Sequence, residues 1–264
     1  MLRRAGVLAG LTIALALLFA REAPAHLHGL IPDRPAVPLR EEAAFLLFFG
    51  HPFESEMADM ARPERIRALL PGGSVLDLAP LLRAEKVKDP EGKEVNRFRV
   101  SFPTSERGDY LVALAAPEHF LGEGEGFVRD FVKVVLHVGA ERGWDRPVGD
   151  PLEILPLTRP YGLRPPATFL ARVALDGQPL EGAAVEVERY NASPPASLPE
   201  SEFITRTART APGGLIATTL DAPGWWAITV SQRRGSRKRG EADSPLTLRA
   251  TLWVYAGEPL AGGR

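Results

Sequence analysis

Residues 96–102 read NRFRVSF, in which Phe98, Val100 and Phe102 alternate with Arg97, Arg99 and Ser101. A period of two puts the apolar side chains on one face of an extended chain and the polar ones on the other, the pattern of a half-buried strand. The same texture recurs outward from this stretch. Upstream, AAFLLFF (43–49) is an apolar run of strand length bounded by Glu41-Glu42 and by Gly50-His51-Pro52. Downstream lie DYLVALA (109–115) and FVRDFVKVVLHV (127–138). RPERIRALLPGG (62–73) and VLDLAPLLRAEKV (75–87) each predict one short helical turn. Residues 143–166 carry six prolines and read as a linker or an extended crossing strand. Beyond them come six further strand candidates: FLARVAL (169–175), AAVEVERY (183–190), FITRTART (203–210), LIATTL (215–220), WWAITVS (225–231) and LTLRATLWVY (246–255). Turn signals at Asp176-Gly177, Pro212-Gly213-Gly214 and Pro223-Gly224 punctuate them. Short strands at this spacing predict an all-β chain of two β-sandwich domains, 26–145 and 167–264, joined by a Pro-rich linker at 146–166.

The chain opens with Met1-Leu2-Arg3-Arg4, an apolar run over 5–20, and then Ala23-Pro24-Ala25. A basic start, a short apolar stretch and an Ala-x-Ala end predict a signal peptide over 1–25, cleaved after Ala25. The run is shorter than the roughly 20 residues that span a bilayer. The mature chain is therefore expected to begin at His26, to be periplasmic or secreted, and not to span the membrane itself. With no cysteine, disulfides, thiolate catalysis and zinc–thiolate sites are excluded. A net charge of −1 supplies no electrostatic basis for a nucleic-acid partner.

The histidines then acquire meaning. In AHLHGLIP (25–32), cleavage leaves His26 with a free α-amine and an imidazole that together can chelate one ion. The amine, two deprotonated backbone amides and the ring of His28 can also enclose a cation in one plane. Square-planar nitrogen ligation suits Cu(II) or Ni(II) better than zinc. In FFGHPFESE (48–56), His51 ends an apolar run, Pro52 holds its backbone extended, and Glu54 follows three residues on. A carboxylate there completes a metal shell or orients the imidazole. His119 and His137 read as ordinary loop and strand residues. RRGSRKRG (233–240) reads as a solvated loop between the last two strands. Neither a nucleophile–base pair nor a phosphate loop appears, and no enzyme activity is expected.

The order of these motifs resembles the family of periplasmic components associated with nickel and cobalt uptake systems. The stretches that carry it are AHLHGLIP, GHPFESEMADMARPERI (50–66), RDFVKVVLHV (129–138), GWDRPVGDPLEILPLTRPYGL (143–163), DGQPLEGAAVEVERYN (176–191) and PGWWAI (223–228). The resemblance implies two sandwich-like domains, immunoglobulin-like or transthyretin-like. It also implies capture of Ni(II) or Co(II) for an energy-coupling-factor-type membrane transporter. It places metal ligands at His26, His51 and Glu54. Where the family pattern has a His before the aromatic-x-Lys of RDFVKVV, this chain has Asp130, an oxygen in place of a nitrogen. Two alternatives stand beside it. One is a copper protein with an N-terminal histidine brace, either a carrier or an oxygen-activating enzyme. The other is a metal-free adhesion or sugar-binding module using Trp225 and Trp226. The expectation that carries most of this is the mature terminus. Intact-mass analysis of exported protein should give a chain beginning at His26; a mass retaining residues 1–25, or starting after Arg21, removes the amine from the site.

Overall fold

The computed structural model describes residues 26–89 and 91–258, so the expected signal peptide, 1–25, lies outside the described residues. Eighteen strands follow one another among the described residues. In the first half these are β1 (Leu27–Pro32), β2 (Glu42–His51), β3 (Glu56–Ala58), β4 (Arg65–Leu69), β5 (Val75–Asp77), β6 (Arg83–Lys88), β7 (Glu94–Pro103), β8 (Gly108–Ala115), β9 (His119–Gly122) and β10 (Gly126–Val138). The second half supplies β11 (Leu152–Pro156), β12 (Ala167–Leu175), β13 (Gln178–Pro179), β14 (Ala184–Arg189), β15 (Thr205–Arg209), β16 (Leu215–Leu220), β17 (Gly224–Arg239) and β18 (Ala242–Ala256). One four-residue helix, Ser201–Ile204, and two 3-10 turns complete the described elements.

The strands form three sheets. The front sheet runs β1-β2-β7-β6 with β3 on β2, and the back sheet runs β11-β12-β13 with β16 on β12. Between them the middle sheet runs β15-β14-β17-β18-β10-β8-β4-β5, with β9 on β10. Side-chain alternation makes the middle sheet a wall shared by two cores. Along β18, Leu248, Leu252 and Val254 enter the core closed by the back sheet, while Trp253 and Tyr255 enter the core closed by the front sheet. β17 divides likewise, with Ile228 and Val230 to the back and Trp225 and Ala227 to the front. NRFRVSF is β7, and its Phe98, Val100 and Phe102 pack into the front core as the alternation requires.

The two halves join in one sheet. β10 pairs in parallel with β18, from Phe127↔Leu246 to Val134↔Trp253. A parallel pair needs a crossover connection, and here the entire intervening chain supplies it. Strands from both sides of the Pro-rich segment thus belong to one sheet, where sequence predicted two domains divided at 146–166. That segment is also no tether. It contains β11, which pairs with β12, and it buries Val148 and Tyr161. Its Glu153 receives a buried 2.7 Å hydrogen bond from Lys133 Nζ.

Two local expectations are corrected. Residues 62–73 form β4 rather than a helical turn, because Ile66 and Ala68 are buried while Arg65 and Arg67 between them reach out to Asp150 and Val148. Residues 75–87, by contrast, do hold the expected short helical turn, a 3-10 turn at Ala79–Leu81 between β5 and the start of β6. The basic tract is not a loop. It continues β17 and turns back into β18, with a register shift between Arg233 and Ser236. The shared wall has a consequence for truncation. A fragment ending at residue 145 loses β18 from beside β10 and strips Trp225, Trp253 and Tyr255 from the front core. It should show no cooperative thermal transition by circular dichroism, whereas an independent domain would show one.

Candidate functional site

Four of the chain's five histidines converge at one end of the front sheet. β1 and β2 pair antiparallel with Leu27 opposite Gly50 and His28 opposite Phe49. This register sets the start of β1 beside the end of β2. The rings of His26 and His51 consequently lie 4.3 Å apart, centroid to centroid. Gly29 lets the strands close: a Cβ there would stand 2.0 Å from the Phe48 ring that lies over it. The turn after His51 is pinned from the second half of the chain. Asn191 donates its backbone N–H to Pro52 O (3.0 Å) and its Nδ2 to Phe53 O (2.6 Å), and Phe53 N–H donates to Glu188 Oε1 (2.9 Å).

Phe49 is the hub of the cluster. Its ring is 5.2 Å from that of His26, 4.5 Å from His28 and 5.5 Å from His119. His119 opens β9, which pairs with β10 so that His119 faces Val128; its ring is 6.2 Å from His28. His119 Nε2 is buried with no hydrogen-bond partner among the described residues. Burial lowers the pKa of His119. Burial, then the neighbouring His51, Arg249 and His119, lowers that of His26 to about 4. The His26 ring is therefore neutral at pH 7, with a lone pair free to bind.

Beneath these rings lies a buried ion pair. Asp130 and Arg249 stand opposite each other in the parallel ladder of β10 and β18. Arg249 Nε donates to Asp130 Oδ1 at 2.5 Å and Nη2 to Oδ2 at 2.9 Å. His28 Nδ1 lies 2.7 Å from Asp130 Oδ2, and Trp253 Nε1 donates to the His28 carbonyl at 3.1 Å. Burial on its own would raise the Asp130 carboxyl, but Arg249 and then His28 outweigh it and hold it well below the usual carboxylate range. Both Asp130 oxygens are thus engaged within the protein. A carboxylate in this position fixes the orientation of a histidine ring, here with Nδ1 turned to Asp130.

The sequence-derived candidates separate accordingly. His26, His28 and His51 are brought together, and His28 is a buried residue of β1 rather than part of a loose terminus. The planar chelate needs Nδ1 of His28, which here is turned to Asp130. Asp130, expected as an oxygen ligand, orients His28. Glu54 buries Oε2 without a partner among the described residues and lies beside Glu188. Burial pushes Glu188 up to about 7, its hydrogen bonds from Phe53 and Thr205 opposing and the Glu54 charge adding to the rise. Among the described residues no group of three His, Asp or Glu side chains is placed to hold a metal ion. His119 and Arg249 were not foreseen. Arg249 had a signal, a lone charge in the apolar run LTLRATLWVY, because charges are rarely buried unless paired. His119 had none, since its place depends on the β9–β10 pairing. His137 lies apart. Its Nδ1 is 2.8 Å from Asp109 Oδ1, its ring stacks on Tyr161 at 4.4 Å, and it lines a separate cavity of about 410 Å³.

Residues 23–234 match the family described as Domain of unknown function (DUF4198), and the chain belongs to that family. No curated protein matches it. Among solved structures it is similar to a DUF4785 family protein of Legionella pneumophila, at 12% identity over 76% of this chain and 51% of that one, with a TM-score of 0.29. It is similar also to PorU of Porphyromonas gingivalis, at 9% identity over 85% of this chain and 20% of that one (TM-score 0.24). For Escherichia coli alpha-2-macroglobulin activated by porcine elastase the identity is 13%, over 88% and 20% of the two chains (TM-score 0.25). The chain spans about half the length of the first of these and a fifth of the other two.

The ion pair yields a stability prediction. Removing one member of a buried pair strands the other, at a cost of about 3–5 kcal/mol. Asp130→Ala or Arg249→Ala should each lose about that much in urea denaturation, and Asp130→Asn/Arg249→Met should lose much less than the sum of its two single changes. The folded carboxyl is depressed, so its stabilisation is full above an unfolded pKa of about 3.9 and disappears as pH falls toward the folded value. Equal acid sensitivity in wild type and Asp130→Asn would contradict this assignment.

Proposed function

We propose that this member of the DUF4198 family is an exported carrier of a late first-row divalent metal ion. In this reading it captures Ni(II) or Co(II) at the histidine cluster and passes it to a membrane transporter of the energy-coupling-factor type. The observation that carries the reading is the 4.3 Å approach of the His26 and His51 rings. Two side-chain nitrogens do not hold such an ion alone. Cleavage after Ala25 supplies the third, because the nitrogen of residue 26 changes from an amide to an amine with a pKa near 8. Amine, His26 ring and His51 ring then form a three-nitrogen chelate at the edge of the front sheet.

The donor set bears on the ion. Neutral imidazoles without a free carboxylate suit nickel and copper, and do not suit calcium or magnesium. Arg249 sits close by, but Asp130 neutralises it, so the cluster does not repel a cation through an uncompensated charge. The low pKa of His26 means that protons compete for its ring only toward about pH 4. The role of Asp130 is to aim Nε2 of His28, and Glu54 stands in the turn that carries His51. Ligands at a chain terminus and a strand end can be taken one at a time by a partner, which suits delivery better than a closed cage does.

One observation favours a copper reading as the alternative. With His28 Nδ1 committed to Asp130, the remaining arrangement of amine, ring and second ring is that of a histidine brace. Copper binds most nitrogen sites tightest among these ions, so affinity alone does not identify the cargo. Isothermal titration of protein beginning at His26 tests the site itself. Ni(II) and Cu(II) should bind with one-to-one stoichiometry. One residue added before His26, or His51→Ala, should weaken binding by at least about tenfold, the scale of losing even an outer-shell partner. Equal binding by the extended protein would place the metal elsewhere or nowhere.

A further inference from the structure

The cavity beside His137 is built at the far end of β10 from the histidine cluster. His137 stands near the close of that strand, roughly 20 Å along it from Asp130 at about 3.3 Å per residue. Three stretches of chain fold over this end. Residues 35–37 pair with it, His137 N–H donating to Pro35 O at 3.2 Å and Val37 N–H to His137 O at 3.0 Å. The turn leaving β10 comes back to β8, where Asp109 N–H donates to Arg142 O at 2.9 Å. LTRPYGL (157–163) of the Pro-rich segment crosses beside the end of β18, with Tyr255 N–H on Pro160 O at 3.4 Å and Gly257 N–H on Leu163 O at 2.7 Å. The space left between them is about 410 Å³, within the roughly 300–1,000 Å³ of small-molecule pockets.

Its wall is mostly apolar, with Pro35, Ala36 and the Tyr255 ring among its residues, and its polar groups are few and fixed. Asp109 is wholly buried; its Oδ1 lies 2.8 Å from His137 Nδ1, and its Oδ2 accepts the Arg142 N–H at 2.7 Å. The His137 ring is stacked on Tyr161, and Arg159 lies over Tyr161 at 5.1 Å. With Nδ1 turned to Asp109, Nε2 is the nitrogen left for a partner. Tyr161 is buried too, and its hydroxyl has no hydrogen-bond partner among the described residues. Burial, and then the neighbouring Asp109, raises its pKa, so it keeps its proton. A buried polar atom left in this way needs an explanation, and here it belongs to a residue that lines a cavity. At the exposed rim the charges cancel, Arg159 Nη1 donating to Glu141 Oε2 at 2.6 Å.

We propose that this cavity binds a small, uncharged, mostly apolar molecule carrying a hydroxyl group, with the hydroxyl on Nε2 of His137 and the apolar body against Pro35, Ala36 and Tyr255. Apolar walls with a few placed polar groups favour a ligand of that build. A hydroxyl both donates and accepts, so it pairs with an imidazole nitrogen whichever of the two that nitrogen requires. A carboxylate or ammonium group would give up its hydration at a rim whose cation and anion already neutralise each other, which is costly. A sugar would bring several hydroxyls to a wall that has partners for one or two, and the rest would go unpaired. This site stands apart from the metal reading, because none of its residues belongs to the cluster around Phe49.

The test uses the full mature protein beginning at His26 and 2-naphthol as the probe, followed by titration calorimetry and saturation-transfer NMR. Phenol-type hydroxyls titrate near about pH 10, so 2-naphthol is uncharged at pH 7. It should bind with one-to-one stoichiometry. The anion 2-naphthoate, with the same rings, should bind at least about tenfold more weakly because its charge finds no free partner, and glucose should not bind. His137→Ala should weaken 2-naphthol by about tenfold, the upper scale for one neutral hydrogen bond. Ala36→Trp places a large ring in the space from an exposed wall position and should abolish binding; it keeps the test open if His137→Ala fails to fold. One residue added before His26 should leave 2-naphthol binding unchanged, so failure of the metal site and failure of this one are read separately. No binding of 2-naphthol, binding that survives both His137→Ala and Ala36→Trp, or tighter binding of 2-naphthoate or glucose would overturn the proposal.

Discussion

The interaction on which the rest depends is the buried group of Asp130, Arg249 and His28. Its two charged members face each other across the parallel pairing of β10 and β18, where the first and second halves of the chain become one sheet. The third belongs to β1 and ties the front sheet to that joint. Such a pair contributes little net stability, because desolvating both charges offsets most of their attraction. Its effect is on register. Sliding β18 by one residue along β10 would turn Arg249 into the back core and leave Asp130 buried alone, so the pairing penalises every alternative alignment. The same carboxylate then settles which nitrogen of His28 faces outward.

Architecture and chemistry are linked through this group. The middle sheet serves two cores, and each of its central strands must satisfy both faces at once. That explains why β10 and β18 read as nearly continuous apolar runs rather than alternating ones, as expected where both faces are covered. Against that background two charges on one face stand out energetically. They sit directly beneath the histidine cluster, at the end of the sheet where β1 begins, β2 ends and β9 turns. The rim of a sandwich supplies side chains from several strands without having to bury a loop backbone. In the proposed reading, a chelate at this rim, next to the point where the leader is expected to be removed, would join processing to the appearance of the third nitrogen.

The strands themselves were largely legible. All six candidates beyond the Pro-rich segment correspond to strands, because alternation and turn residues are local properties. Where local reading failed, a longer-range contact decided the outcome. RPERIRALLPGG offers helix formers, yet β4 forms because Ile66 and Ala68 meet the front core while the intervening arginines find Asp150 and Val148. RRGSRKRG resembles a solvated loop. It becomes a hairpin arm because Glu118, Phe120 and Glu123, more than a hundred residues away, lie under it.

For the site the same division holds. The sequence by itself determined that the chain is all-β, that two histidines open the segment after an Ala-x-Ala, and that His51 ends a strand next to that segment. Each follows from residue order, strand period and the tendency of consecutive strands to be neighbours. Only the tertiary structure decided that His119 joins them, that Asp130 is committed to Arg249 and His28, and that the two halves share a wall. The last two depend on a parallel pairing between residues about 120 positions apart. No local pattern encodes such a pairing, because its energy comes from closing two cores on one sheet at once.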